Sequence, residues 1–133
     1  MNSGLISRKT DYSIRAVAFM AKHEGEVVNV STLVAELNMP RPFLRKILQT
    51  LESKGILKSQ RGKGGGFELA RPAAEISLTD MIEAFQGTVT IKECLFRKGI
   101  CPNRKTCRLK KRLDAIEGHV ISELARITVK DLL

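Results

Sequence analysis

The sequence predicts a mainly α-helical fold with one small β-hairpin, and three observations carry that prediction. Apolar residues recur at steps of three and four residues in five stretches, as on the buried faces of helices. A glycine-rich segment, GKGGG at residues 62–66, separates two short strand-like stretches. The last apolar stripe covers residues 103–127, and a chain of 133 residues offers little apolar surface against which so long a stripe could pack. With 43% hydrophobic residues, we expect one core and an appended helix.

The first predicted helix covers residues 9–23 and ends at Gly25. Thr10 or Asp11 is suited to cap its start, because short polar side chains accept the free backbone N–H groups there. The residues expected on its buried face are Ile14, Val17, Ala18 and Ala21.

A short helix and a longer one follow, joined by a tight turn. The short helix is predicted over residues 31–37 with Ser31 as its cap, and the longer one over residues 41–54. The longer helix has an apolar face of Leu44, Ile47, Leu48 and Leu51, and an outer face of Arg41, Arg45, Lys46, Gln49 and Ser53. This pattern indicates a helix-turn-helix, because a basic, amide-bearing helix fits the DNA major groove.

The next stretch predicts a β-hairpin, with strands over residues 56–61 and 67–71. Arg61 and Lys63 lie at its glycine-rich tip, where they are suited to contact phosphates or a minor groove. A nucleotide-binding loop is disfavoured, because the G-x-x-x-x-G-K-S/T spacing is missing. A hairpin directly after a helix-turn-helix predicts a winged helix.

Two segments lead from the hairpin to the end of the chain. Residues 77–80, SLTD, form a capping box for a helix that ends near Phe85, with Met81 and Ile82 in the core and Gly87 as its stop. Residues 88–93 alternate apolar and polar and are a strand or an extended loop. The final helix carries a stripe of Leu109, Leu113, Ile116, Val120, Leu124 and Ile127. A second copy of the chain is the partner we expect for this stripe, and packing onto its own domain is the alternative.

Positive charge is concentrated in two blocks of the sequence. The chain has a formal net charge of +9. Residues 41–66 contain seven cations and one carboxylate, and residues 97–112 contain eight cations and no carboxylate. These blocks favour a polyanion-binding face, with a solvated lysine-rich surface as the alternative.

All three cysteines, Cys94, Cys101 and Cys107, lie within fourteen residues. Basic neighbours favour their thiolate forms, which bind metals. Structural zinc usually shows closer cysteine pairs and a nearby fourth ligand, whereas His119 lies twelve residues after Cys107. The spacing therefore favours an iron–sulfur cluster over zinc, with a redox thiol switch as a further alternative.

The sequence disfavours several other classes of protein. Two distant histidines and the lack of a Ser-His-Asp or Cys-His arrangement argue against an enzyme. No run of eighteen apolar residues or secretory signal is evident, so we expect a cytoplasmic protein with no membrane partner.

The chain resembles the Rrf2 family of bacterial winged-helix regulators. The resemblance lies in ISRKTDYSIRA at the start, RGKGGGFELARP in the hairpin, SLTDMIEAFQG after it, CPNRKTCRL at the cysteines and the terminal TVKDLL. It implies a homodimeric transcription factor in which Cys94, Cys101 and Cys107 hold an iron–sulfur cluster.

The resemblance also bears on the fourth ligand of that cluster. IscR-like members use a histidine three residues after the last cysteine, where this chain has Lys110. NsrR-like members use an aspartate donated by the partner subunit, and Asp11 occupies that position, so the chain is expected to be closer to NsrR. A simple helix-capping role is the alternative for Asp11. Six residues separate Cys94 from Cys101, against five in NsrR-like members.

We therefore expect a winged helix-turn-helix over residues 1–87, a cluster-binding loop over 88–108 and a dimerisation helix and tail over 103–133. The expected function is control of a pseudo-palindromic DNA operator, as a repressor, by a 4Fe–4S or 2Fe–2S cluster that senses nitric oxide, redox state or iron status. The alternative is a DNA-binding protein without a cluster that is constitutive or depends on zinc or thiols. The residues expected to contact DNA are Lys9, Tyr12, Arg41, Pro42, Phe43, Arg45, Lys46, Gln49, Arg61, Lys63 and Gly64.

Overall fold

The computed structural model describes residues 6–87 and 108–133. The prediction for residues 88–93, the three cysteines and the first residues of the predicted last helix lie outside this range. The elements, in chain order, are α1 (Arg8–Lys22), α2 (Val30–Leu37), α3 (Arg41–Ser53), β1 (Leu57–Gln60), β2 (Gly66–Leu69), a 3₁₀ turn (Ala73–Glu75), α4 (Leu78–Gln86), α5 (Arg108–Arg126) and a second 3₁₀ turn (Val129–Leu132). This order confirms the mainly α fold with a small β wing. Of the described helices, none has the length and apolar character needed to cross a membrane.

Two helices begin earlier than the sequence pattern predicts. The cap of α1 is Ser7, whose hydroxyl accepts a hydrogen bond from the Thr10 backbone N–H at 3.2 Å. The cap of α2 is Asn29, whose side-chain oxygen accepts from the Thr32 N–H at 2.7 Å. The predictions of Thr10 or Asp11 for α1 and Ser31 for α2 are therefore wrong, because those residues already lie inside the helices.

The predicted buried and exposed faces of α3 are confirmed. Its four predicted apolar residues are all buried, and its predicted basic and amide residues are all exposed. The turn before it depends on Asn38, which takes the left-handed backbone conformation at φ 51° and ends α2. Asparagine tolerates that conformation better than most residues, so the turn can be tight.

The predicted hairpin is present, and a third segment joins it. β1 and β2 are antiparallel, with Leu57 opposite Leu69 and Gln60 opposite Gly66. Val28, between α1 and α2, exchanges two backbone hydrogen bonds of 2.8 Å with Phe67. A side chain on Gly66 would collide with the Val28 carbonyl, so glycine is required where the two backbones meet. The base of the wing is thereby fixed to the helical body.

The core surrounds α1. Val17 and Ala21 are buried as predicted, whereas Ile14 and Ala18 are only half-buried. The fully buried positions of α1 also include Thr10, Ser13, Ala16 and Met20. The helix is therefore rotated relative to the simple apolar stripe, because two polar residues point inward.

The C-terminal turn belongs to the same core. Val129 is 1% exposed, and its N–H donates to the Ile76 carbonyl at 2.9 Å. Thr128 pairs with Ser77 as an isolated β-bridge. Asp131 accepts hydrogen bonds from the Thr128 N–H and hydroxyl, which hold the pKa of that carboxyl below its ordinary value. The chain thus returns to α1 after α5.

Substitution of Val129 tests this arrangement. We expect Val129→Ala to lower the free energy of unfolding by about 2 kcal/mol, because it leaves a cavity in the main core. Leu133→Ala, four residues on and exposed, is the matched control and should change it by about 0.5 kcal/mol or less. Denaturant titration measures both, and equal effects would contradict a core position for Val129.

Candidate nucleic-acid interface and cofactor segment

The outer face of α3 forms a basic surface. Arg41, Arg45, Lys46 and Gln49 are exposed, while the opposite face is buried in the core. The single carboxylate of the helix, Glu52, accepts a hydrogen bond from the Ser59 hydroxyl of β1 at 2.8 Å. Arg41 donates to the Ser31 hydroxyl of α2 at 2.7 Å, which ties the first turns of the two helices together. The arrangement presents guanidinium, ammonium and amide donors on one rigid element.

The wing tip adds two cations. Arg61 and Lys63 are exposed and make no ion pair with the described residues. The backbone turns at Gly62, between them, and at Gly64, directly after Lys63, with φ values of 94° and 83°, a region that favours glycine. The Gly65 N–H closes the turn by donating to the Gly62 carbonyl at 2.9 Å. The two cations are thus held at the end of a short, tethered hairpin.

Two of the predicted DNA-contacting residues also connect α1 to α3. The rings of Tyr12 and Phe43 meet edge to face, with centroids 5.6 Å apart and an interplanar angle of 85°. Both side chains are half-buried. Lys9 and Pro42 lie nearby in sequence and are exposed. The first turn of α3 therefore packs directly on the N-terminal part of α1.

Asp11 lies on the same part of α1 and faces outward. Its side chain is 49% exposed and its Oδ2 atom accepts from Arg15 Nε at 3.1 Å, one helical turn away. Together with Ile6, Arg8 and Tyr12 it lines a shallow surface depression. An exposed pair at this spacing contributes about 0–1 kcal/mol, so the carboxylate can exchange Arg15 for another partner at little cost.

A polar cluster beneath Asp11 was not predicted from the sequence. Gln86 Oε1 accepts hydrogen bonds from the Ser7 N–H at 2.7 Å and the Thr10 hydroxyl at 2.8 Å. The Ser7 hydroxyl lies 2.9 Å from that of Thr10, and the Ser13 hydroxyl donates to the Thr10 carbonyl at 2.6 Å. Ser7, Thr10 and Ser13 are buried. Because a backbone N–H can only donate, the Gln86 atom that faces Ser7 must be its carbonyl oxygen.

The signal for this cluster was weak. Ser7 and Thr10 are three residues apart, which is the spacing between a helix cap and the third helical residue, whose backbone N–H can donate to the cap. The acceptor in Gln86 lies 76 residues from Thr10, so no local pattern connects the two. Only the packing of α4 against α1 brings them together.

The two halves of α5 lie in different surroundings. Leu124 is buried against Ile82 of α4, with Val120 and Ile121 packed beside it. Leu109 and Ile116, in the first half, are 57% and 52% exposed. The stripe is therefore buried against its own domain at one end and more exposed at the other.

The described residues flanking the cysteines limit the ligand set. Lys110, three residues after Cys107, forms an ion pair with Asp114 at 3.3 Å. His119 is exposed on α5. Within residues 6–87 and 108–133, no group of three or more His, Cys, Asp or Glu side chains is placed to hold a metal ion. Cys94, Cys101 and Cys107 themselves lie outside the described residues.

Comparison with known proteins adds to this description. A sequence model of the Rrf2 family, described as iron-dependent transcriptional regulators, matches residues 6–133. A protein of Aquifex aeolicus classed with the HTH-type transcriptional regulators is 27% identical over 131 residues, covering 97% of this chain and 91% of that protein.

Two solved structures are similar along almost the whole chain. Staphylococcus aureus CymR is 27% identical, covers 95% of both chains and has a TM-score of 0.73. IscR of T. potens has a TM-score of 0.76 at 23% identity, over 96% of this chain and 84% of that one, which shows a shared fold. The chain belongs to the Rrf2 family of iron-dependent transcriptional regulators, and it acts as a regulator of transcription rather than as an enzyme.

Proposed function

We propose that the protein is a homodimeric repressor that binds a pseudo-palindromic operator under the control of an iron–sulfur cluster. The proposal of DNA binding rests on the outer face of α3, where the exposed cations and Gln49 lie opposite four buried apolar residues. The protein's own membership of the Rrf2 family supports the same reading, since these regulators bind DNA.

The proposed contacts with DNA follow from the chemistry of each group. Arg45, Lys46 and Gln49 would face base edges and phosphates in the major groove. Arg61 and Lys63 would reach the backbone or the adjacent minor groove from the wing, where Gly64 permits close approach. Arg41 is already bonded to Ser31 and would position the first turn of α3 while it contacts a phosphate. Tyr12, Phe43, Pro42 and Lys9 would line the edge of this surface.

The proposed cofactor is held by Cys94, Cys101 and Cys107 of one protomer and Asp11 of its partner. Three thiolates and a carboxylate suit an iron–sulfur cluster. The environment of Asp11 fits that role, because its carboxylate is half-exposed, borders an open depression and, among the described residues, is held by a surface ion pair with Arg15. Position 110 offers no histidine as a fourth ligand, since it holds a lysine whose Nζ atom lies 3.3 Å from Asp114 Oδ2.

When bound, the cluster would supply iron that reacts with nitric oxide or responds to redox state and iron supply. Residues of α1 would transmit a change at the cluster to α3. Asp11 and Tyr12 are neighbours on α1, and Tyr12 packs against Phe43 in the first turn of α3. A change in the position of α1 would therefore move α3 and alter the spacing of the two reading heads.

The proposed dimer would form through the first half of α5. Leu109 and Ile116 lie seven residues apart on α5, and the side chains of both are more than half exposed in the described protomer. A two-fold axis places the same surface of both copies together, so each contact occurs twice.

Charge insertion tests the dimer. We expect Ile116→Glu to raise the dissociation constant of the dimer by about two orders of magnitude. The reason is that the two Ile116 side chains, which would be buried in the proposed interface, are replaced by carboxylates. Ala115→Glu adds the same charge one position away, outside the stripe, and should leave the dimer intact. Light scattering after size-exclusion chromatography measures both. A dimer unaffected by Ile116→Glu would contradict this interface.

Salt dependence tests the DNA contacts of the wing. We expect operator affinity to fall steeply with salt, and Arg61→Ala to weaken binding and lower the log–log slope by about 0.9, the value for one phosphate contact. Arg126→Ala, at the far end of α5, removes an equal charge and is the control. Fluorescence anisotropy over a salt series provides the measurement. An unchanged slope for Arg61→Ala would rule out this phosphate contact.

A mixed dimer tests the ligand set. One protomer carries Asp11→Ala and the other Cys101→Ala, each with its own affinity tag. If Asp11 acts across the dimer, we expect the mixed dimer to hold one four-ligand cluster, since one site keeps all its ligands. Each parent homodimer should lose cluster stability at both sites. Anaerobic native mass spectrometry and visible absorbance report the cluster content.

Two results of that experiment would contradict the proposal. A mixed dimer no better loaded than either parent would show that Asp11 does not act across the dimer. A colourless wild-type protein that contains zinc would exclude the cluster and favour the zinc-dependent alternative.

A further inference from the structure

Ser59 joins the first strand of the wing to the helix proposed to contact DNA. Its hydroxyl donates to Glu52 Oε1, in the last turn of α3, at 2.8 Å. Ser59 lies on the same face of β1 as Leu57, which is buried, whereas Lys58 lies on the other face and pairs with Glu68 at 3.4 Å. Within the described part of the chain, no other side-chain hydrogen bond or ion pair connects α3 to either strand of the wing.

The wing is fixed at the same level on its other side. Ser59 lies opposite Phe67 in the register of the hairpin. Phe67 exchanges two backbone hydrogen bonds of 2.8 Å with Val28, so its N–H and its carbonyl both point away from β1. Ser59 and Phe67 are therefore a pair of the ladder without backbone hydrogen bonds between them. At this level β2 is fixed through its backbone, and β1 is fixed through the Ser59 side chain.

The cations of the wing lie just beyond this level. Arg61 and Lys63 follow Ser59 by two and four residues, and residues 60–64 are all exposed. The direction of the tip is therefore determined where the hairpin is attached. A strand rises about 3.3 Å per residue, so the Arg61 backbone lies about 7 Å beyond Ser59, and a rotation of about 20° there would displace it by about 2 Å. Such a displacement is large compared with the narrow range of hydrogen-bond lengths.

The bond between Ser59 and Glu52 suits positioning better than stabilisation. Both residues are exposed, so either can be replaced without leaving a buried polar group unpaired. A carboxylate acceptor strengthens the hydrogen bond. Glu52 is also the single carboxylate of α3, and its bond to Ser59 directs this negative charge to the hairpin.

We propose that Ser59 and Glu52 are positioning residues that orient the tip of the wing for its contacts with DNA. This inference rests on the proposed function, in which Arg61 and Lys63 contact phosphates or the minor groove. The bond holds β1 at a fixed distance from α3, so that the helix and the tip meet DNA together. Without it, the tip takes more orientations, and ordering it on DNA costs part of the binding free energy.

A double-mutant cycle with the tip tests this inference. The probe is a fluorescein-labelled duplex of about 30 base pairs, long enough for two half-sites, selected from random sequences on the wild-type protein. Fluorescence anisotropy measures its affinity. We expect Ser59→Ala to weaken binding about fivefold, the order of one hydrogen bond. In a background that carries Arg61→Ala and Lys63→Ala, Ser59→Ala should have no effect, because the tip has no cations left to orient.

Further variants test the bond itself. Ser59→Ala should have no additional effect in a Glu52→Ala background, where the bond is already absent. Ser59→Thr keeps the hydroxyl and should retain the wild-type affinity. Ser53→Ala is the matched control, because the exposed Ser53 hydroxyl donates to the Thr50 carbonyl within α3, at 2.7 Å, and its loss should leave the affinity unchanged. Thermal unfolding identifies the folded variants, and Glu52→Ala replaces Ser59→Ala in the cycle with the tip if the latter does not fold.

The outcomes distinguish this inference from the proposed function. A folded Ser59→Ala that binds like the wild type would overturn the positioning role and leave the proposed DNA binding intact. The same holds if Ser59→Ala weakens binding equally with and without the tip cations, or if Ser59→Thr binds as weakly as Ser59→Ala. A wild-type protein that selects and binds no duplex would overturn the proposed function, and this inference with it.

Discussion

The close packing of α1 is the constraint on which the other elements depend. This one helix contacts α2, α3, β2, α4 and the C-terminal turn. Three of its inward positions, Ser13, Ala16 and Val17, are small and fully buried, so its neighbours can approach closely there. Larger side chains at these positions would separate the elements that now meet around it. A shift of α1 would therefore displace each of these elements, including α3, the helix proposed to contact DNA.

Because of the helical repeat, consecutive residues in the first turns of α1 contact different parts of the structure. Successive residues are rotated by about 100° around the axis. Thr10 points inward to Gln86, Asp11 points to solvent and Arg15, and Tyr12 points toward Phe43. Of these three consecutive residues, one contacts the end of α4, one lies at the surface and one contacts α3. This explains how an exposed carboxylate can be closely coupled to buried packing without being buried itself.

Local patterns in the sequence predicted the elements whose stabilising contacts are local. The capping box of α4 is present, with reciprocal hydrogen bonds between Ser77 and Asp80. The four apolar residues of α3 are all buried, because their spacing alone determines a common face. The glycines of the wing occur where positive φ or close approach requires them. For these elements, residue type and spacing contain most of the physical information.

The features missed by sequence reasoning depend on contacts between distant residues. Ser7 is the cap of α1 because Gln86 completes its hydrogen bonding from another helix. Val129 is in the core because the C-terminal backbone pairs with that of residues 76–77: the Val129 N–H donates to the Ile76 carbonyl, and Thr128 forms a β-bridge with Ser77. The end of α5 fits the alternative of packing on its own domain, since Leu124 is buried against Ile82, whereas Leu109 is 57% exposed and its coverage by a second copy stays a prediction. Cys107 directly precedes the uncovered half of α5, so covering that half with a second copy would assemble the dimer beside the end of the cysteine segment. Dimer formation and completion of the ligand set would then depend on the same part of the chain, which is why an aspartate from the other protomer is a fitting fourth ligand.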